Sequence, residues 1–208
     1  QPGAGPVLDL GPYHIANMVQ LIGAVTRVTA VSRIPSKTRT IGNGPRLGEE
    51  VPVDTPTTIH ALIEFDQGAV VSFVSSWDCY SKDVPGMTLW AEKGTMAVPD
   101  PNFFDGDLRV TQGTEPMALP AFDHPLGVAN RENGQGARVA DYRTAGLADM
   151  AVAITEGRHH RCNDDFALHV IDVMTSILRS GELGQPVEVT TPCTRPAFLG
   201  PEEARGLM

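Results

Sequence analysis

The sequence predicts an α+β fold: a largely antiparallel open sheet with helices packed on one face. Three observations predict it. First, a helical pattern opens the chain, a run of strand patterns follows, and two further helical patterns come near the end. That order is not βαβ alternation, so helices segregated to one side of an antiparallel sheet are the simplest packing. Second, two pairs of β-rich runs are each joined by a short turn, Asp66-Gln67-Gly68 in one and Glu92-Lys93-Gly94 in the other. Both are hairpin signatures. Third, 208 residues with 41% hydrophobic content suffice for one domain with a real core, and residues 1–208 are read as a single domain.

The elements follow in order. Asp is a good N-cap and Pro12 is tolerated only in a first turn, so the first helix is expected to start near Asp9. Ile15, Met18, Val19 and Ile22 give it one apolar face, and Gly23 is its expected stop. Residues 25–32 are β-branched and partly alternating, which reads as a strand. Residues 35–56 are rich in Pro, Gly and charge and read as a long excursion from the sheet. Residues 57–65 and 69–77 form the clearest hairpin, with Gly68 suited to positive φ. Residues 87–91 and 95–98 form a second hairpin, and 108–111 one more strand. Residues 112–143 carry weak periodicity and read mostly as loop. Leu147, Met150, Ala151 and Ile154 define a helix stopped at Gly157. Ala167, Val170, Ile171, Met174, Ile177 and Leu178 define another, capped by Asn163 or Asp164 and ending near Gly181 or Gly184. Residues 187–190 are a last short strand, and the proline-rich tail is expected to wrap over a surface.

Composition narrows the function classes. A net charge of −9 with no Lys/Arg-rich stretch argues against a nucleic-acid surface. No apolar run reaches the roughly 18 to 20 residues that a membrane span needs. Three cysteines, Cys79, Cys162 and Cys193, are odd in number and far apart, which argues against a disulfide framework and for a cytoplasmic location. His159-His160-Arg161-Cys162 lacks metal-ligand spacing and reads as a polar loop between helices, so no metal site is expected.

The chemistry-bearing residues cluster at the start. Asp9 and Tyr13 are one helical turn apart and share a face. A carboxylate beside a phenol, with His14 adjacent, suits binding and deprotonation of a sugar-like hydroxyl. The plainer alternatives are an N-cap role for Asp9 and a packing role for Tyr13. His14 lies about 100° round the helix from Tyr13, lining the site from another side or replacing the phenol as base. Trp77, Asp78 and Tyr80 follow the hairpin strand and are expected within reach of the substrate, Trp77 and Asp78 as binding residues. An indole face suits the apolar face of a sugar, although Trp77 fits a core position equally well. Arg143 can bind an anion bidentately or be a solvated loop arginine, and Asn130, Arg131 and Tyr142 lie near it in sequence. His169, on an apolar-patterned helix, is expected to pack or hydrogen-bond locally. His60 faces either outward or into a sheet interface.

Four stretches together resemble a known family. They are Gly5-Pro6-Val7-Leu8-Asp9-Leu10-Gly11-Pro12-Tyr13-His14, then Leu62-Ile63-Glu64-Phe65-Asp66-Gln67-Gly68-Ala69, then Glu92-Lys93-Gly94-Thr95-Met96. The last is Gly146-Leu147-Ala148-Asp149-Met150 through Gly157-Arg158, followed by Ala167-Leu168-His169-Val170-Ile171-Asp172-Val173-Met174. In order and spacing they resemble the C-terminal domain of the Gfo/Idh/MocA oxidoreductases. The resemblance implies a two-domain parent whose N-terminal dinucleotide-binding domain holds NAD or NADP. It implies that the parent oxidises or reduces a sugar, cyclitol or related CH–OH group. Tyr13 would be proton donor or acceptor, Asp9 would orient the substrate, and the sheet would pair protomers into a dimer or tetramer.

The sequence has no G-x-G-x-x-G linking a strand to a helix and no Glu-Lys-Pro, the family's lysine motif. The expectation is therefore a fragment that binds no cofactor and is inactive alone. A tyrosine with no cation beside it titrates near 10 and is a poor base at neutral pH. The alternatives are a stand-alone sugar-binding or dimerisation module without catalysis, or a domain of an NAD-dependent glycosidase.

Overall fold

The computed structural model describes residues 3–79, 86–120 and 122–208; Tyr80, named above beside Trp77 and Asp78, lies outside them. In chain order the elements are α1 (Pro6–Leu21), β1 (Val25–Arg33), β2 (Thr38–Thr40), β3 (Glu50–Pro52), β4 (Thr58–Phe65) and β5 (Val70–Ser76). Next come β6 (Met87–Ala91), β7 (Gly94–Val98), β8 (Arg109–Gln112), β9 (Glu115–Met117), a 3₁₀ turn (Pro125–Gly127), β10 (Arg131–Glu132) and β11 (Arg138–Val139). The chain closes with α2 (Ala145–Glu156), α3 (Asp164–Leu183), β12 (Val187–Glu188) and α4 (Pro201–Arg205). The α+β class and the antiparallel sheet with helices stand as read from the sequence. The chain divides into two compact units, one of residues 1–80 and 164–195, the other of residues 81–163 and 196–208.

The first unit is a four-stranded antiparallel sheet, β12-β1-β4-β5, with α3 packed on β1 and α1 packed on α3. Alternation along the strands decides which face is core. Val28 and Ala30 of β1, Ile59, Ala61, Ile63 and Phe65 of β4, and Phe73 of β5 are buried. Val7, Ile15 and Val19 of α1 and Val170, Val173 and Ile177 of α3 are buried too. The inner side of α3 also carries His169 and Ser180, both with no exposed surface. Their role is to satisfy β1. Because β12 reaches only Arg27 and Val28, other β1 amides have no strand partner on that side. The Val25 N–H donates to His169 Nε2 at 3.0 Å and the Ala30 N–H to the Ser180 hydroxyl at 2.8 Å. Buried backbone donors need such partners. His169 thus packs and bonds locally, as the sequence suggested. At Gly181 a Cβ would stand 2.8 Å from the Ser32 hydroxyl, so glycine permits the close approach of α3 to β1.

The second unit holds a four-stranded antiparallel meander, β6-β7-β8-β9, and the short hairpin β10-β11. Its charged centres are buried carboxylates. Asp149 of α2 accepts hydrogen bonds from the Arg161 N–H at 2.7 Å, the Arg161 guanidinium at 2.6 Å and Arg158 at 3.0 Å. Arg161 also donates to the Ala197 carbonyl at 3.1 Å and to Glu203 at 2.9 Å, which fastens the tail within this unit.

Three readings need correction. The first helix starts at Pro6, not near Asp9. The Asp9 N–H already bonds the Gly5 carbonyl at 3.1 Å, so Asp9 is inside the helix and is not its N-cap. Gly5, at φ 115°, makes the entry, and Pro6 sits where no N–H is needed. Pro12 therefore lies within the helix. Residues 35–56 are not simply an excursion, because β2 and β3 pair there. Residues 112–143 also hold β9, the 3₁₀ turn, β10 and β11, elements too short to leave a periodic signal.

Candidate functional site

The opening helix presents the candidate residues by its phase. Val7, Gly11, Ile15, Met18 and Val19 occupy its buried side. Asp9 and Tyr13 fall on the opposite side, one turn apart. Asp9 is exposed, and Tyr13 and His14 are half-buried. The His14 ring nitrogen Nδ1 bonds the Leu10 carbonyl at 3.2 Å, which fixes the ring along the helix. Gly11 lets α1 approach α3: a Cβ there would stand 3.2 Å from the Met174 sulfur.

The entrance of α1 is tied to the sheet. The Thr55 hydroxyl donates to the Ala4 carbonyl at 3.1 Å, and Gly5 lies against the Pro56 carbonyl. The next two residues, Thr57 and Thr58, hold Asp78. Their hydroxyls donate to Asp78 Oδ2 at 2.7 and 2.6 Å. Arg39 of β2 donates to Asp78 Oδ1 at 2.6 Å and to the Trp77 carbonyl at 3.0 Å. The Asp78 N–H donates to the Ser76 hydroxyl at 3.0 Å. Burial opposes ionisation of Asp78, but the bonds from Thr58, Thr57 and Arg39 outweigh it and hold the carboxyl below its ordinary range.

The structure thus joins the start of α1, the start of β4 and the end of β5 through residues 55–58. Trp77 is half-buried at that end, its backbone pinned by Thr57 and Arg39. Arg39 escaped sequence reasoning because it stands in a stretch read as excursion. Its only local signal is a threonine on either side, which is too general to act on.

Arg143 belongs to the second unit. Its guanidinium donates to Asp141 Oδ1 at 2.9 Å and to Asn102 Oδ1 at 2.8 Å. Arg131 holds the other Asp141 oxygen at 2.6 Å through Nε. Bonding to Arg131 outweighs burial and, with Arg143, lowers the Asp141 carboxyl below its ordinary range. Asn130 and Asp141 exchange two backbone-to-amide bonds at 2.8 and 3.0 Å, which sets the loop geometry around this pair. Asp141 is another functional-looking residue that sequence reasoning missed.

Every strand pairing among the described residues is antiparallel. A dinucleotide of the doubly wound kind binds at the carboxyl ends of parallel strands, at a switch point this arrangement lacks. The described residues do not fit that site. Among them, no three His, Cys, Asp or Glu side chains converge as metal ligands, and no helix is long and apolar enough to cross a membrane.

This geometry defines an α+β sheet-and-helix domain with a polar cluster beside the entrance of its first helix. Residues 1–97, just under half of the chain, match the family model for the GFO/IDH/MocA C-terminal domain, so the resemblance read from the sequence is borne out. Comparison with curated protein sequences finds no match.

Solved structures share the fold. An NAD binding oxidoreductase from Klebsiella pneumoniae is 19% identical with a TM-score of 0.69, over 91% of this chain and 52% of its own. A levoglucosan dehydrogenase, solved with NADH and L-sorbose, is 18% identical with a TM-score of 0.66, over 91% of this chain and 52% of its own. An aldose-aldose oxidoreductase from Caulobacter crescentus, complexed with glycerol, is 23% identical with a TM-score of 0.59, over 89% of this chain and 48% of its own. The chain spans about half the length of these structures.

Proposed function

We propose that this chain is the substrate-binding and oligomerisation domain of an NAD- or NADP-dependent oxidoreductase acting on a sugar, cyclitol or related CH–OH group. The observation that carries the reading is the fixed one-turn spacing of Asp9 and Tyr13 on the outward side of α1. A carboxylate can align a polyol through its hydroxyls while a phenol transfers the proton of the reacting one. Trp77 and the Asp78 cluster beside the entrance of the same helix supply an aromatic face and a rigid polar rim. The comparisons support this reading. One similar structure is a levoglucosan dehydrogenase with L-sorbose, another an aldose-aldose oxidoreductase with glycerol, and these ligands carry several hydroxyls. The hydride chemistry belongs to the nicotinamide, which a companion domain of the natural protein would hold.

The test starts with the mass of the natural protein in its source cell. A mass about twice that of this chain agrees with a companion domain. Turnover of a polyol and aldose panel is then followed at the reduced-nicotinamide absorbance band. Tyr13→Phe is expected to lower kcat by about 10² or more while KM changes little. A protein no larger than this chain, or one with no absorbance-linked turnover, overturns the oxidoreductase reading.

A second activity, pairing of protomers, is favoured by the outer face of the first sheet. Val31, Leu62, Val70 and Val74 lie there with 49–61% of their surface exposed. Large exposed apolar side chains gathered on one sheet face are a common mark of an interaction surface. A second copy presenting the same face would cover it by a two-fold contact.

A further inference from the structure

The second-unit helix α2 is amphipathic in the reverse sense. The residues turned inward are Asp149, 4% exposed, and Ala153, fully buried. The apolar ridge at i, i+3 and i+7 faces solvent: Leu147 is 67% exposed, Met150 36% and Ile154 73%. Ala151, exposed between them, leaves a shallow saddle. A helix ordinarily buries its apolar stripe. Here the buried side is held by ion pairs instead, with Asp149 bound to Arg158 and Arg161. The ridge itself carries no charge: Asp149 is turned inward, and Glu156 at the end of the helix pairs with Arg158 at 2.7 Å. An uncharged, knob-and-saddle surface fits an apolar partner and repels none.

Area decides which partner. Three partly exposed aliphatic side chains offer on the order of 200 Å² of apolar surface, taking the transfer energy of each side chain with its area coefficient. A free second copy needs about 800 Å² on each side for a stable complex. A domain of the same polypeptide needs far less, since a tether raises its effective concentration to the millimolar range. Similar solved structures are about twice as long as this chain, so half of each is available to cover such a face. We propose that the Leu147–Met150–Ile154 ridge of α2 is the docking face for the companion domain of the same polypeptide. This rests on the oxidoreductase reading above. Docking there would couple the companion domain to the Asp149 cluster, and through Arg161 to the C-terminal tail.

The test is hydroxyl-radical footprinting of the natural protein, with the 208-residue chain as comparator. Trp90, 81% exposed, serves as the internal reference. Severalfold lower labelling of Leu147, Met150 and Ile154 in the longer natural protein, with Trp90 unchanged, is the expected result. Equal labelling in a natural protein that is longer and turns over polyols overturns this inference alone. Labelling that falls in the 208-residue chain as its concentration rises assigns the ridge to a second copy and also overturns it. A natural protein no longer than this chain removes the companion domain and overturns both readings.

Discussion

Asp149 shows how surroundings set the charge of one side chain. Burial opposes its ionisation most strongly. The Arg161 N–H, Arg158 and the Arg161 guanidinium together outweigh burial and hold the carboxyl below its ordinary range. Removing it leaves Arg161, with only 18% of its side chain exposed, without its main acceptor. Asp149→Ala is expected to lower stability by about 2 kcal/mol, with Arg158 adding little because it is one-third exposed. Urea unfolding of the variant against the parent chain checks this. The same residues set a pH profile. The carboxyls of Asp149, Asp141 and Asp78 all titrate lower folded than unfolded. Their contribution is full above about pH 4 and is lost as pH falls through the depressed folded values. His169 is also lowered, mainly by burial, against the raising effects of Thr191, Asp172 and Asp66. A depressed histidine binds its proton more readily unfolded, so stability declines as pH falls below about 6.5. Unfolding midpoints between pH 7 and 3 are therefore expected to fall in two stages. His169→Asn is expected to flatten the first stage only; a single transition near pH 4 in the unaltered chain contradicts this.

At the scale of elements, close approach and pairing matter more than propensity. A Cβ on Gly94 would run into the Thr111 carbonyl, where β7 pairs with β8. Backbone cannot yield there as a flexible side chain can. Gly94→Ala is expected to cost about 2 kcal/mol or more and to loosen the meander. Amide exchange at Met96 and Val110 checks it: unchanged protection sinks the argument. Long elements were legible because each spans several repeats of its period. The hairpin at 57–77 was expected and β4 and β5 pair there, with Gly68 at φ 85°. Gly157 and Gly184, named as helix ends, stand at φ 67° and 68°. The start of α1 was misread because Asp9 is a plausible cap on local grounds, whereas the Gly5–Pro6 entry depends on Thr55 and Pro56, some fifty residues away. A separation of 39 residues likewise hid Arg39, whose partner Asp78 is reached only by folding.

At the scale of the whole molecule, the outer face of the first sheet poses the question of assembly. In register, Val31, His60 and Val74 form one row, Thr29, Leu62 and Ser72 the next, and Arg27, Glu64 and Val70 a third. Arg27 and Glu64 are bonded at 2.7 and 2.8 Å, so the one charged pair on these rows is already neutralised. Such a face tolerates burial against its own copy. Leu62→Lys places an unpaired cation at the centre and is expected to shift the natural protein toward monomer by at least tenfold in dissociation constant. Sedimentation velocity over a dilution series reads this directly. An unchanged assembly state would move the interface elsewhere.

The sequence by itself determined the class of the fold, the order of its longer elements, the glycine stops and the family resemblance. All of these are written in local period, turn chemistry and motif order. Only the tertiary structure decided which residues meet. It turned the apolar stripe of α2 outward and a carboxylate inward, since two arginines beyond the helix end could satisfy Asp149. It placed His169 and Ser180 on the unpaired amides of β1, because β12 is too short to cover them. It gathered Arg39, Thr57, Thr58 and Asp78 into one cluster. Each outcome depends on a partner distant in the chain, and the selectivity of a hydrogen bond or ion pair for its partner leaves no periodic trace in the sequence.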